Sequence, residues 1–179
     1  MKKRKKIEII TKAITEIGLC RCSFSYSEDF FYYYPNEVNK KFFLGQTEAD
    51  FQLDGYCIRK MSQLKKVEVN TNKCNEINKR YGITRGIKAP DIDLSDWRTI
   101  FDSLKTKEQF IIVEDEIHGE FAIGVVVKAK KNKLLFLRAF DADGVWYDDI
   151  LKIPYSTITN VEWGTRYSDM WERYMKERP

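Results

Sequence analysis

Residues 51–69, FQLDGYCIRKMSQLKKVEV, decide the inferred fold, because they align with residues 145–163, VWYDDILKIPYSTITNVEW, at a constant offset of 94. The alignment continues without a gap from residue 30 to residue 71 of the first copy. Identical pairs are few, among them Asp54 with Asp148, but apolar positions recur throughout. A fixed offset of this kind predicts an internal duplication. The alternative is a chance similarity between two β-rich stretches.

Alternating apolar residues predict five strands in each copy, with a helix before and after them. The first copy is predicted to contain helix 7–18, strands 20–25, 30–34, 41–44, 51–59 and 66–69, and helix 75–81. The second is predicted to contain helix 94–104, strands 110–114, 121–128, 134–140, 145–153 and 160–163, and a last helix opened by Asp169. The predicted fold class is α+β: a duplicated unit of one helix plus a small, bent, five-stranded antiparallel β-barrel, with a C-terminal helix after each. The predicted boundaries are a basic tail at 1–6, units at 7–82 and 94–179, and a linker at 83–93.

A helix followed by five strands, with only a tight turn between a long fourth strand and a short fifth, resembles the Sm-like small β-barrel. The resemblance rests on the order of the elements and covers nearly the whole chain, twice. It implies ring assembly and RNA binding through polar loop residues. The third strands read KKFFLG and LLFLRA. They do not match the family's Asn, and no Arg-Gly pair precedes either fifth strand, so the resemblance assigns no RNA-binding residue here.

Positive charge is concentrated in the first half of the chain. The whole chain carries 31 Lys and Arg against 27 Asp and Glu, a formal charge of +4. The region 59–88 is the candidate for phosphate contacts, which basic side chains make without reading the base sequence. Its candidate nucleic-acid-binding residues are Lys60, Lys65, Lys66, Lys73, Lys79 and Arg80. The alternatives are that these side chains solvate a helix and a turn, or that the oppositely charged halves face each other.

Five consecutive aromatic residues, 30–34, form the most unusual local composition. Successive side chains on a strand point to opposite faces. We therefore expect Phe30, Tyr32 and Tyr34 on the outer face, as a candidate interaction surface that stacks on bases or covers a partner. The alternative is that these rings lie under a packed helix or between two domains.

The sequence lacks the usual signatures of several catalytic chemistries. It has one histidine, His118, and contains no G-x-S-x-G, HExxH or phosphate-binding glycine loop. The four cysteines, Cys20, Cys22, Cys57 and Cys74, lack the spacing of a zinc site, so reduced thiols are expected. We therefore expect that the protein is not an enzyme and has no cofactor or metal, and the sequence identifies no small-molecule substrate. A metal-dependent hydrolase that uses carboxylates such as Asp148 remains the open alternative.

The predicted function is that of a noncatalytic interaction module, through protein contact or self-association. Nucleic-acid binding through region 59–88 is the alternative. Charged residues interrupt the apolar segment at 7–20, and no uncharged run approaches the length of a membrane span. The predicted location is the cytoplasm, without a membrane partner.

Overall fold

The computed structural model describes residues 1–131 and 133–177. The chain divides into two compact units, Met1–Pro90 and Asp91–Pro179. The described residues form four α-helices and ten strands. None of the helices in this part of the chain combines the length and the apolar composition that a membrane crossing requires.

The first unit packs a helix against an antiparallel sheet. Its elements are α1 Lys3–Glu16, β1 Cys20–Phe24, β2 Phe30–Val38, β3 Phe42–Ala49, β4 Gln52–Lys60, β5 Leu64–Val69 and α2 Cys74–Arg80, followed by a 3-10 turn at Ile83–Gly86. The strands lie in the order β5-β1-β2-β3-β4. Cys20 of β1 lies opposite Tyr33 on one side and Val69 on the other. Apolar residues of α1, such as Ile10 and Ala13, meet the same face of the sheet as Tyr33, and these residues form the core.

Helix α1 begins earlier than predicted. It starts at Lys3, so most of the predicted basic tail belongs to the first helical turn. The side chain of Lys6 is buried, and its Nζ donates to the backbone oxygen of Leu64. The first turn contains no acidic residue, an arrangement that the helix dipole disfavours. Arg4 is paired with Glu8 of the next turn at 2.8 Å.

The second unit has its own helix, sheet and terminal helix. Its elements are α3 Trp97–Thr106, β6 Ile111–Asp115, β7 Glu120–Ala129, β8 Leu134–Ala139, β9 Leu151–Pro154, β10 Asn160–Trp163 and α4 Arg166–Glu177. The strands lie in the order β10-β6-β7-β8-β9. Helix α3 is capped by Asp96, whose carboxylate accepts from the backbone N–H groups of Arg98 and Thr99. Such a cap satisfies amide groups that have no partner within the helix.

The fold is α+β, but the predicted duplication of a closed, Sm-like barrel is wrong. The sheet is open: in the first unit β5 and β4 stand at opposite ends of the strand order, as β10 and β9 do in the second. A closed barrel requires the terminal strands to pair, which removes both edges.

The tandem repeat with a constant offset also fails, because the offset between positions that pair in the same way changes along the chain. The offset of 94 equates Val69 with Trp163, whose partners across the sheet are Cys20 and Ile111. The next partners are Tyr33 and Gly124, so equivalent positions are then 91 residues apart instead of 94.

The long fourth strand predicted at 145–153 is reduced to the four residues of β9, Leu151–Pro154. Residues 145–150 form no strand: Trp146 makes an isolated bridge with Phe140, and a bend follows at 148–149. The Asp141 carboxylate closes the preceding turn, where it accepts from the amides of Asp143 and Val145 at 3.0 and 2.9 Å. Strand β4 has nine residues, so the two fourth strands differ in length.

Candidate interaction surfaces

The predicted basic residues are spread over three elements of the first unit: Lys60 on β4, Lys65 and Lys66 on β5, and Lys73, Lys79 and Arg80 at the two ends of α2. Local partners engage several of these cations. Lys66 Nζ lies 2.8 Å from Glu68 Oε1, and Lys73 Nζ lies 2.7 Å from Glu76 Oε2. The hydrogen bond to Glu76 raises the pKa of Lys73. Lys79 Nζ donates to the backbone oxygen of Glu16 at 2.9 Å. Part of the positive charge is thus balanced within the unit.

The predicted outer aromatics divide into two environments. Phe30 is 46% exposed, and the guanidinium of Arg21 lies 3.7 Å from its ring centroid. Tyr32 lies beside Phe30, and its hydroxyl accepts a hydrogen bond from Asn72 Nδ2 at 2.8 Å. Tyr34, in contrast, is 1% exposed. Phe30 and Tyr32 are therefore accessible, whereas Tyr34 lies under a helix.

A buried hydrogen-bond network explains the position of Tyr34. Its hydroxyl donates to Asn75 Oδ1 and accepts from Asn78 Nδ2, both at 3.0 Å. Asn78 Nδ2 also contacts Glu48 Oε1 at 3.3 Å. Burial raises the pKa of Tyr34 to about 12. The network joins α2 to β2 and β3, so these polar groups hold the unit together.

Arg59 has a role that the sequence analysis missed. It counts among the cations of region 59–88, but it is 2% exposed. Its guanidinium lies near three aromatic rings, and its Nη1 donates to the hydroxyl of Tyr26 at 2.9 Å. The ring centroids lie 4.7 Å away for Phe24, 5.2 Å for Phe31 and 6.0 Å for Tyr33. We call Arg59 and these three rings the internal cage. Strand alternation was the signal that could have indicated this burial. Residues two apart on a strand lie on the same face, so Arg59 shares a face with Cys57, which is fully buried.

His118 and Asp115 form a pair at the turn between β6 and β7. His118 Nδ1 lies 2.7 Å from Asp115 Oδ2, and Asp115 Oδ1 accepts from the amide of Ile117 at 3.2 Å. Both residues border a cavity of about 480 Å³ that also contacts β9. Within residues 1–131 and 133–177, no group of three or more His, Cys, Asp or Glu side chains is arranged to hold a metal. The hydrogen bonds of Asp115 are those of a residue that closes a turn.

A second aromatic site lies on α4 of the second unit. It is a pocket of about 560 Å³ lined by Ala142, Asp143, Tyr167, Met170, Trp171 and Tyr174. We call it the α4 pocket. Its α4 residues are spaced i, i+3, i+4 and i+7, which places them on one helical face. Tyr167, Met170 and Tyr174 are 52%, 56% and 46% exposed.

The rings of the α4 pocket cross one another at steep angles. The centroids of Tyr167 and Trp171 are 6.4 Å apart with an interplanar angle of 69°, and those of Trp171 and Tyr174 are 5.8 Å apart at 75°. The three rings thus present surfaces in different directions.

Packing and hydrogen bonds hold α4 in place. Its first turn is closed by Thr165 Oγ1, which accepts from the amide of Ser168 at 3.1 Å. Glu172 Oε2 accepts from the amide of Phe110 at 3.1 Å. The ring of Trp171 packs on Phe140, with centroids 5.1 Å apart.

The turn at 141–144 forms the other wall of the pocket. Gly144 has a φ of 72°, and a Cβ there would lie 3.1 Å from the Trp171 ring. Its left-handed backbone and missing side chain let the turn approach the helix. The sequence pattern groups Met170, Trp171, Tyr174 and Met175 as one apolar helix face. It does not show which part of that face the turn leaves open.

No family model, no curated protein and no solved structure matches this chain. The Sm-like resemblance therefore gains no support from known proteins.

Proposed function

We propose that this protein is a noncatalytic protein-interaction module whose contact surface is the α4 pocket, and that its partner is a protein segment inserting side chains there. The observation that carries the proposal is the open pocket of about 560 Å³ whose Tyr167, Met170 and Tyr174 are about half exposed. Isolated exposed apolar residues are ordinary, but a contiguous aromatic patch with a polar rim is typical of interaction sites.

The residue types of the pocket suit protein contacts. Tyr and Trp bury a large area at a low cost in side-chain entropy and are enriched among residues that dominate binding energy. The patch extends to Phe121, which is 51% exposed and whose centroid lies 6.1 Å from that of Tyr167. The anchored helix presents these side chains in a fixed arrangement, which lowers the entropy lost on binding.

The edges at β5 and β9 are less suited to this role. Strand β5 carries the exposed Lys65 and Lys66, and β9 is four residues long and contains Lys152 and Pro154. Lysines, proline and short length are features that protect edges against pairing with another chain. We therefore assign the contact to the helix face in preference to these two edges.

Nucleic-acid binding by the first unit has weaker support. Arg21, Phe30, Tyr32 and Lys66 share one face of the sheet, a combination that suits a single strand. Glu68 lies between the cations, however, 3.6 Å from Arg21 and 2.8 Å from Lys66. This carboxylate lowers the attraction that the face offers to phosphates.

We also propose a cytoplasmic location. The cysteines are free thiols, and Cys20, Cys22 and Cys57 are buried without a disulfide. Reduced cysteines are usual in a reducing compartment.

A peptide-display selection on the full chain tests the proposal. Random peptides are selected on the wild type and retested on Met170→Glu, which places a charge in the pocket at a 56% exposed position. The control is Tyr81→Ser, which removes an exposed aromatic outside the α4 pocket. We expect peptides that bind the wild type and the control but not Met170→Glu.

Two results would contradict the proposal: no peptide is enriched, or the enriched peptides bind Met170→Glu as well as the wild type. A parallel titration with a labelled single-stranded oligonucleotide is a further test. Tight oligonucleotide binding that weakens steeply with added salt and is unaffected by Met170→Glu would also contradict the proposal. Self-association that Met170→Glu abolishes would support the module, with a second copy as the partner.

A further inference from the structure

We propose that the α4 pocket selects a weakly hydrated organic cation, the side chain of arginine or methylated lysine on a basic partner segment. The proposal rests on the proposed function and names the chemistry of the partner. Cations within about 6 Å of an aromatic centroid are attracted by the negative face of the ring. Guanidinium and methylated ammonium groups lose less hydration on entering such a site than a bare ammonium does.

The pocket geometry allows one cation to contact more than one ring. Trp171 stands 6.4 Å from Tyr167 and 5.8 Å from Tyr174, at steep angles to both. A group seated beside Trp171 therefore meets rings from different directions, and Met170 adds a polarisable side chain at the same level of the helix.

The charge of the lining and of the unit favours a cation. Among the described residues that line the pocket, Asp143 is the charged one, and it is acidic. Residues 91–179 contain 13 Lys and Arg against 17 Asp and Glu, a net charge of −4. Such a field attracts basic segments and disfavours acidic ones.

The first unit shows the same chemistry in a filled form. In the internal cage a guanidinium lies within 4.7–6.0 Å of three ring centroids. There Arg59 of the chain itself supplies the cation and is 2% exposed. The α4 pocket combines the same classes of side chain at an open surface.

The test uses methionine methyl NMR on the full chain labelled at its four methionines. Met170 lines the pocket, and Met175 packs with Trp171 against the core of the second unit. Met61 is buried in the first unit and serves as an internal control. The first probe is a short peptide with a central trimethyllysine. The second is the same peptide carrying the uncharged carbon isostere, which has the same shape without the charge.

We expect the trimethyllysine peptide to shift the Met170 resonance and to leave the Met61 resonance unchanged. The uncharged isostere should bind at least about tenfold more weakly. Tyr174→Ser should weaken binding about tenfold, whereas Tyr81→Ser should not. Equal binding of the two peptides at Met170 would overturn the cation inference and leave the interaction function standing. No shift with either peptide or with a third peptide that carries arginine at the same position, while display-selected peptides still shift Met170, would also overturn the cation inference alone. If the selected peptides also fail to shift the Met170 resonance, both the cation inference and the proposed function are contradicted.

Discussion

Two aromatic sites, the internal cage of the first unit and the α4 pocket of the second, use aromatic residues in opposite ways. In the first unit Phe24, Phe31 and Tyr33 surround the guanidinium of Arg59, which is 2% exposed. In the second, Tyr167 and Tyr174 stand about half exposed around an open pocket. The same ring chemistry stabilises the fold at the first site and is presented at the surface at the second. Aromatic content alone therefore does not indicate a binding surface; the position of the rings relative to a covering element does.

The largest expected effect concerns access to the core of the first unit. Burial raises the pKa of the Cys20 thiol to about 12 and raises that of Cys22 as well. A rise from 9.0 lowers the thiolate fraction at neutral pH about a thousandfold. We expect iodoacetamide to label the partly exposed Cys74 of the folded chain and to spare Cys20 and Cys22. Mass spectrometry measures the labelling; equal rates at Cys20 and Cys74 would show that the core is not closed.

Arg59→Ala tests whether the internal cage stabilises the fold. The change removes the cation from three rings and the hydrogen bond to Tyr26, and it leaves a cavity. We expect the first unit to lose about 3 kcal/mol of unfolding free energy. Urea unfolding followed by near-UV circular dichroism measures the loss. Lys65→Ala, at an exposed position of β5, is the matched control and should change stability by less than about 0.5 kcal/mol. A similar small loss for Arg59→Ala would refute a structural role of the cage.

Tyr34→Phe tests the polar network under α2. The variant keeps the ring and removes the hydroxyl that contacts Asn75 and Asn78. We expect a loss of about 1–2 kcal/mol in the free energy of unfolding at neutral pH, because buried amide groups lose their partner. Equal stability of the variant and the wild type would mean that the network contributes nothing.

The same residue gives a pH dependence. The pKa of Tyr34 is raised from 10.0 to about 12 in the folded state, so the native state holds the proton more tightly. This contribution to stability is complete below pH 10 and is lost as the pH rises towards 12. We expect unfolding midpoints of the wild type to fall more steeply over this interval than those of Tyr34→Phe. Parallel curves would contradict the assignment.

The smallest expected change in stability is that of Tyr174→Ser. Tyr174 is 46% exposed, so its replacement should alter the free energy of unfolding by less than about 0.5 kcal/mol while it weakens peptide binding. Thermal unfolding together with the peptide titration checks both parts. A large loss of stability would show that Tyr174 has a structural role, like the aromatic residues of the internal cage. It would contradict the interpretation of Tyr174 as part of an open binding pocket.

Local patterns in the sequence locate many of the elements. Strand β10 occupies the predicted residues 160–163, where Val161 and Trp163 alternate with polar neighbours and are buried. Barrel closure could not be deduced in this way, because closure depends on the curvature of the whole sheet and on pairing between terminal strands. The register was also out of reach: Gly124 takes the place opposite Ile111, and no local periodicity specifies this three-residue change.

The two aromatic sites differ in how far the sequence reveals them. Strand alternation from Cys57 was enough to place Arg59 inside, but counting charge over a region obscured it. The apolar face of α4 is visible at its helical spacing. The part of this face that stays open is not visible in the sequence, because it depends on where the turn at Gly144 packs against Trp171. Long-range packing of this kind is absent from the local sequence.

The most direct test of the account is an NMR search for contacts between the full chain and tetramethylammonium, a minimal weakly hydrated cation. We expect intermolecular nuclear Overhauser effects from the methyl protons of tetramethylammonium to the ring protons of Tyr167, Trp171 and Tyr174. We expect none to Phe24 or Tyr33, where Arg59 already fills the cage. Contacts with the internal cage, or the absence of contacts with the α4 pocket, would contradict the distinction between a filled and an open aromatic site.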